Sequence, residues 1–85
     1  MKVTVLGSSI CPDTQAALKT LKENHVETEF EDVSTDLAML KKFVKLRESN
    51  PLYDAVRARD GLGIPVFFLK DGTVTLDMQE VLKQK

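Results

Sequence analysis

Few side chains in this sequence can do covalent chemistry, and one position stands out among them. The chain has a single cysteine, Cys11, within Ser8-Ser9-Ile10-Cys11-Pro12-Asp13-Thr14, and a single histidine, His25. Pro12 suits the first position of a helix, where its missing N–H costs nothing, so Cys11 falls at the N-cap. A sulfur there faces unpaired backbone N–H groups and the positive end of the helix dipole, and both favour thiolate over thiol. That placement makes Cys11 a candidate nucleophile for thiol–disulfide exchange, where a lone cysteine elsewhere reads as a small buried hydrophobe. Asp13 works in the opposite sense if its carboxylate points at the sulfur, so moderate activation is expected. Thr14 has two readings, a hydroxyl that bonds the sulfur or a plain first-turn residue. His25 is no base for this thiol. It lies fourteen residues along the same chain segment, roughly 21 Å away at 1.5 Å per helical residue, and is expected instead to meet the last helical carbonyls.

The elements that must position Cys11 follow from periodicity and turn chemistry. Lys2 to Leu6 alternates as a short strand, and Gly7-Ser8-Ser9 releases the chain into a turn. A helix from Pro12 to about Asn24 carries Ala17, Leu18 and Leu21 on one stripe. Val26 to Asp32 alternates Glu27, Glu29 and Glu31 with Val26, Thr28 and Phe30, as an edge strand does. Ser34 or Thr35 is expected to cap a second helix through about Glu48, with Leu37, Leu40, Phe43 and Val44 facing inward and Lys41, Lys42 and Lys45 solvated. Asn50-Pro51 opens a short helix that stops at Asp60-Gly61, on which Tyr53 and Arg57 read as a surface pair, the alternative being that they line a site near the Ile64-Pro65 loop. Gly61-Leu62-Gly63-Ile64-Pro65 is a second joint, too poor in glycine and lysine for a phosphate loop. It leads into Val66 to Leu69, apolar at every position and hence a central strand, with Pro65 tolerated at its start. Asp71-Gly72 turns the chain into Thr73 to Leu76, and Asp77 caps a last helix, Met78 to about Gln84, with Met78, Val81 and Leu82 inward. Phe30, Phe43, Phe67 and Phe68 are expected in the core. The order β-α-β-α-α-β-β-α predicts an α/β fold with a four-stranded mixed sheet and helices on both faces.

Composition narrows the function classes. Eighty-five residues make one domain, 1–85, and 42% apolar with 29% charged residues is an ordinary globular balance. A formal charge of −1 offers no basic field for nucleic acid or for an anionic membrane surface. No apolar run approaches the roughly 20 residues that span a bilayer, and the N-terminus lacks the apolar core of a secretory signal. One cysteine excludes an internal disulfide and a metal site built from four thiolates, so no metal site is expected and a reducing cytoplasm is the expected location.

Three stretches carry a family resemblance. Cys11-Pro12-Asp13-Thr14 resembles the Cys-Pro-x-Cys motif of glutaredoxins at the strand-to-helix junction, with Thr14 where the second cysteine would stand. Gly63-Ile64-Pro65-Val66 resembles their cis-proline loop, and Lys70-Asp71-Gly72 the hairpin turn that follows. The element order agrees along essentially the whole chain, so the resemblance implies a single glutaredoxin-like domain of thioredoxin-like fold. It implies a catalytic Cys11, with Pro12, Thr14, Ile64, Pro65 and Asp77 as substrate-binding residues. A cis Pro65 would turn the Ile64 backbone toward a substrate strand. No tightly bound cofactor is implied; glutathione enters as co-substrate, and the partners are glutathione or protein mixed disulfides.

The sequence also departs from that family. Gly7 to Ile10 contains no lysine, and Thr73-Val74-Thr75-Leu76-Asp77-Met78 lacks the Gly-Gly that usually precedes the last helix, leaving Asp77 as a remnant of a glutathione site. The segment from Ser34 to Asp60 is longer than a minimal glutaredoxin needs. Two function classes follow. One is a monothiol thiol–disulfide oxidoreductase using an external thiol as reductant. The other is a non-catalytic interaction or thiol-sensing module that has lost the glutathione pocket. A third idea, an iron–sulfur bridge between two chains with glutathione as co-ligand, belongs to relatives that usually carry Cys-Gly-Phe-Ser.

Overall fold

The computed structural model describes residues 2–84. Its elements are β1 (Lys2–Gly7), α1 (Pro12–Glu23), β2 (Glu27–Asp32), α2 (Leu37–Ser49), a 3-10 turn (Pro51–Tyr53) running into α3 (Asp54–Ala58), β3 (Val66–Leu69), β4 (Val74–Thr75) and α4 (Met78–Lys83). They build one mixed sheet in the order β2-β1-β3-β4. β1 pairs parallel with β2 and antiparallel with β3, and β3 pairs antiparallel with β4. The glutamate-rich strand is therefore an edge and the all-apolar strand is central, as their residue patterns predict.

Strand alternation sends side chains into two cores on opposite faces. Val3 and Val5 of β1 with Phe67 and Leu69 of β3 pack against Leu21 of α1 and Val81 of α4. Leu6, Val66 and Phe68 face the other way, toward Phe43 of α2 and Tyr53 and Val56 of the short helical segment. Helices thus cover both faces. Each fully buried side chain such as Leu6 or Leu21 stabilises the fold by roughly 1.5–3 kcal/mol relative to exposure.

Helix ends use local chemistry. α1 ends with Asn24 as C-cap and His25 at φ 59°, where His25 N–H donates to Lys22 O and Val26 N–H to Leu21 O. This is a Schellman closure. His25 meets the last turn through its backbone, its side chain being exposed. α3 closes the same way through Asp60, φ 56°, with Asp60 N–H on Arg57 O and Gly61 N–H on Val56 O.

Three expectations are corrected. Asp36 caps α2, accepting from Ala38 and Met39 N–H; Ser34 and Thr35 lie in the preceding turn. The inward stripe of α2 is Met39, Phe43 and Leu46, while Leu37, Leu40 and Val44 are exposed. Both stripes have helical spacing and share Phe43, whose ring meets Tyr53 edge-on with centroids 6.2 Å apart; Met39 and Leu46 pack into the same core beside it. Lys41, Lys42 and Lys45 are all exposed as expected, and Lys42 also reaches Glu31 at 2.8 Å and stands over the Phe68 ring at 4.8 Å. Finally, Tyr53 is fully buried, and Arg57 binds Arg47 O, Asn50 O and Asp54, so the two are no surface pair.

Candidate active site

The β1–α1 loop reaches Cys11 through a dense set of local bonds. Cys11 N–H donates to Ser8 O at 3.0 Å, and Cys11 O accepts the first helical bond from Gln15 N–H. Ser8 is buried, and its hydroxyl accepts from Ile10 N–H. Ser9 is held from both sides: its N–H donates to Asp32 Oδ1 at the end of β2, and its carbonyl accepts from Gln15 Nε2 at 2.7 Å. The same Asp32 oxygen accepts from the N–H and hydroxyl of Ser34. These donors hold the Asp32 carboxyl well below the ordinary carboxylate range, the Ser34 hydroxyl contributing most. Asp32-x-Ser34 is an Asx-turn pattern that the sequence displays. Its reach across to Ser9 has no sequence signal.

Cys11 is the N-cap of α1, with extended backbone at φ −89° and ψ 122°, Pro12 following at the first helical position. Its free thiol is half-buried. The backbone N–H of Thr14 is the largest influence on it and draws its pKa below the ordinary 9.0, against the desolvation that raises it. The Thr14 hydroxyl and the Asp13 N–H add to the lowering, and the Asp13 carboxylate opposes it least of all. The geometry of these donors falls short of a regular cap hydrogen bond. Thr14 is a first-turn residue of α1 whose hydroxyl is bonded to the β1–α1 loop. It is fully buried, and its Oγ1 accepts from Ser8 N–H at 3.3 Å. Gly7 lets it in: a Cβ on Gly7 would stand 2.7 Å from Thr14 Oγ1.

The second loop meets the first through sheet register. Leu6 pairs with Val66, so the chain leaves β1 toward Cys11 beside the point where Gly61 to Pro65 enters β3. Ile64–Pro65 is a cis peptide, as the resemblance implies. Gly63 has φ 77° and lies on the Tyr53 ring, whose hydroxyl donates to Gly63 O at 2.9 Å. Burial pushes that hydroxyl up to about 12, with the Arg47 charge opposing, so it stays a donor. Arg47 donates through Nε and Nη2 to Gly61 O. Neither anchor is marked in the sequence, because each joins residues at least ten positions apart.

Beside the two loops lies an open cleft of about 410 Å³. Ile64, Pro65, Leu76 and Met78 contribute apolar walls, with Phe67 at the sheet, and Asp13 and Arg59 are its charged residues. Cys11, Pro12 and Thr14 border the loop and do not line the cleft. Asp77 stands between two lining residues, and its own carboxylate caps α4 by accepting from Gln79 N–H at 2.9 Å. Among the described residues no group of three or more His, Cys, Asp or Glu gathers to hold a metal, and Cys11 is the chain's one thiol. One chain supplies a single sulfur ligand, so a cluster held by this chain alone does not fit it. No described helix is long and apolar enough to cross a membrane.

Fold and site define a small α/β domain with one thiol at a helix cap. The chain is 35% identical over 80 residues to an uncharacterized protein of Haemophilus influenzae, a match covering 94% of this chain and 93% of the other. The chain belongs to that protein's family. No family model and no solved structure matches it.

Proposed function

We propose that this chain is a monothiol thiol–disulfide oxidoreductase of glutaredoxin type, built on a thioredoxin-like fold, with Cys11 as nucleophile. The observation that carries the proposal is the half-buried thiol at the α1 cap, its pKa lowered chiefly by the Thr14 N–H, at the same sheet end as the Ile64–Pro65 loop. Cys11 thiolate attacks one sulfur of a mixed disulfide. A new S–S bond to Cys11 forms as the old one breaks, and the departing sulfur leaves with the electron pair as a thiolate. An external thiol such as glutathione then attacks the Cys11 disulfide and releases Cys11. The original mixed disulfide is reduced and the external thiol is oxidised to a disulfide. Thr14 in place of a resolving cysteine excludes an internal cycle, which makes that external thiol obligatory. The bonds holding Ser8, Ser9 and Thr14 keep the sulfur placed before substrate arrives. A reducing, cytoplasmic setting goes with this chemistry, since it keeps Cys11 free between turnovers.

Thiolate absorbance titration and stopped-flow rates with a glutathione mixed disulfide test the proposal. A pKa clearly below the free-cysteine value of about 8.5 and a rate above that of a model thiol are expected. An ordinary pKa with no rate gain removes it. The second reading, a non-catalytic or thiol-sensing module, is favoured by one feature, the side chains of Leu76 and Met78 in the cleft. Calorimetry with glutathione separates the two, because binding at millimolar affinity or better counts against the second.

A further inference from the structure

α2 has an apolar face beyond the one it buries. Met39, Phe43 and Leu46 turn into the core, while Leu37, Leu40 and Val44 are 67%, 39% and 46% exposed and belong to neither core. At 3.6 residues per turn these three fall within about 60° of arc, so they form one ridge along the helix. Apolar side chains gathered in this way mark a surface that another element covers.

The charges beside the ridge point to the occupant. Lys41 and Glu48, both exposed, stand two turns apart on the same flank, and among the described residues neither has an ion-pair partner. On the opposite flank Arg47 is bound to Gly61 O and the Asp36 carboxylate caps the helix, so both are engaged. A purely acidic or purely basic partner would satisfy only one of the two unpaired charges. A reversed copy of the same helix satisfies both. About a two-fold axis near Val44 like flanks meet, and Lys41 of each copy comes level with Glu48 of the other. In a parallel pair Glu48 would instead face the side of the buried Phe43, and Lys41 the side of the capping Asp36. A net charge of −1 sets little repulsion between copies.

We infer that two copies of this chain associate through the outer face of α2, antiparallel about a two-fold axis near Val44, with Leu40 and Val44 covered and Lys41 paired with Glu48 of the second copy. One helix against one helix lies at the small end of specific interfaces, so the dimer is reversible and forms as concentration rises. No residue of this contact belongs to the Cys11 or Pro65 loop, so the contact and the exchange chemistry stand or fall separately.

Sedimentation velocity of the full chain, with Cys11 kept reduced, tests this from micromolar to millimolar concentration. A shift from monomer to dimer with concentration is expected. The double variant Leu40→Gln/Val44→Gln, which puts a good helix former at two exposed positions, is expected to stay monomeric throughout. Lys41→Glu and Glu48→Lys each set like charges opposite one another and should weaken the dimer about tenfold. Combining the two exchanges the charges, remakes both pairs and restores the wild-type affinity. Far-UV circular dichroism melts of every variant separate loss of the dimer from loss of the fold. A monomer at all concentrations overturns the inference, and so does a monomer that binds vesicles of anionic lipid through the same lysines. A dimer untouched by Leu40→Gln/Val44→Gln also overturns it, because the contact then lies elsewhere. A charge-exchanged variant no tighter than either single one overturns the antiparallel pairing.

Discussion

The two loops at the thiol end are held in opposite ways. The Cys11 loop is fastened largely from outside, by the accessible Asp32 carboxylate on Ser9 and Ser34, with the buried Thr14 hydroxyl beneath. The Pro65 loop is fastened from inside, by a fully buried tyrosine ring pressed on Gly63 and a hydroxyl on its carbonyl. A polar clasp in water is individually weak and responds to pH, whereas a buried ring against a glycine resists any added atom. Cys11 therefore sits on the adjustable side, and the loop at the same end of the sheet is the rigid one.

Substitutions that sharpen the contrast begin with the largest effect. Gly63→Ala puts a Cβ 2.3 Å from Tyr53 Cε1 at a φ of 77°, and a loss of roughly 2–4 kcal/mol is expected in urea unfolding. Tyr53→Phe keeps the ring and removes the donor to Gly63 O. It is expected to cost roughly 0.5–1.5 kcal/mol by the same measurement, the net worth of one hydrogen bond to a part-buried carbonyl.

On the other loop the effects are smaller and depend on pH. The folded Asp32 carboxyl lies below its ordinary 3.8, so its contribution is present above about pH 4 and is lost as pH falls through the folded value, where protonation removes the acceptor charge. Thermal melts of wild type and Asp32→Asn should thus differ at neutral pH and converge in acid. A constant gap would show the clasp to be mere contact. Asp13→Asn removes the weakest influence on Cys11, one that raises its pKa. The expected outcome is a lower thiol pKa and at most about a twofold change in alkylation rate at pH 7. A change larger than that of Thr14→Val would reverse the assigned order of influences.

Much of the fold is legible in residue pattern. The period of two in Glu27 to Asp32 and the unbroken apolar run of Val66 to Leu69 identify edge and centre of the sheet, because alternation records which strand faces meet water. α2 is not legible in the same way. Its two apolar stripes share Phe43 and are equivalent in spacing, and packing against the core of Leu6, Tyr53, Val56 and Val66 is what turns Met39 and Leu46 inward with it. Of the site, the cap position of Cys11 reads directly from Pro12, since local backbone chemistry sets it. The Asp32–Ser9 bond, the Tyr53–Gly63 contact and the place of Arg59 in the cleft do not, since each joins segments far apart in the chain.

By itself, then, the sequence determined the elements, their order and the helix mouth that holds the thiol, all consequences of neighbours along the backbone. Tertiary structure alone decided which face of α2 turns inward, what clamps the two loops, and that Ile64, Leu76 and Met78 wall a cleft beside them. Those depend on packing between distant segments, where several arrangements satisfy the same local pattern and close contact selects one.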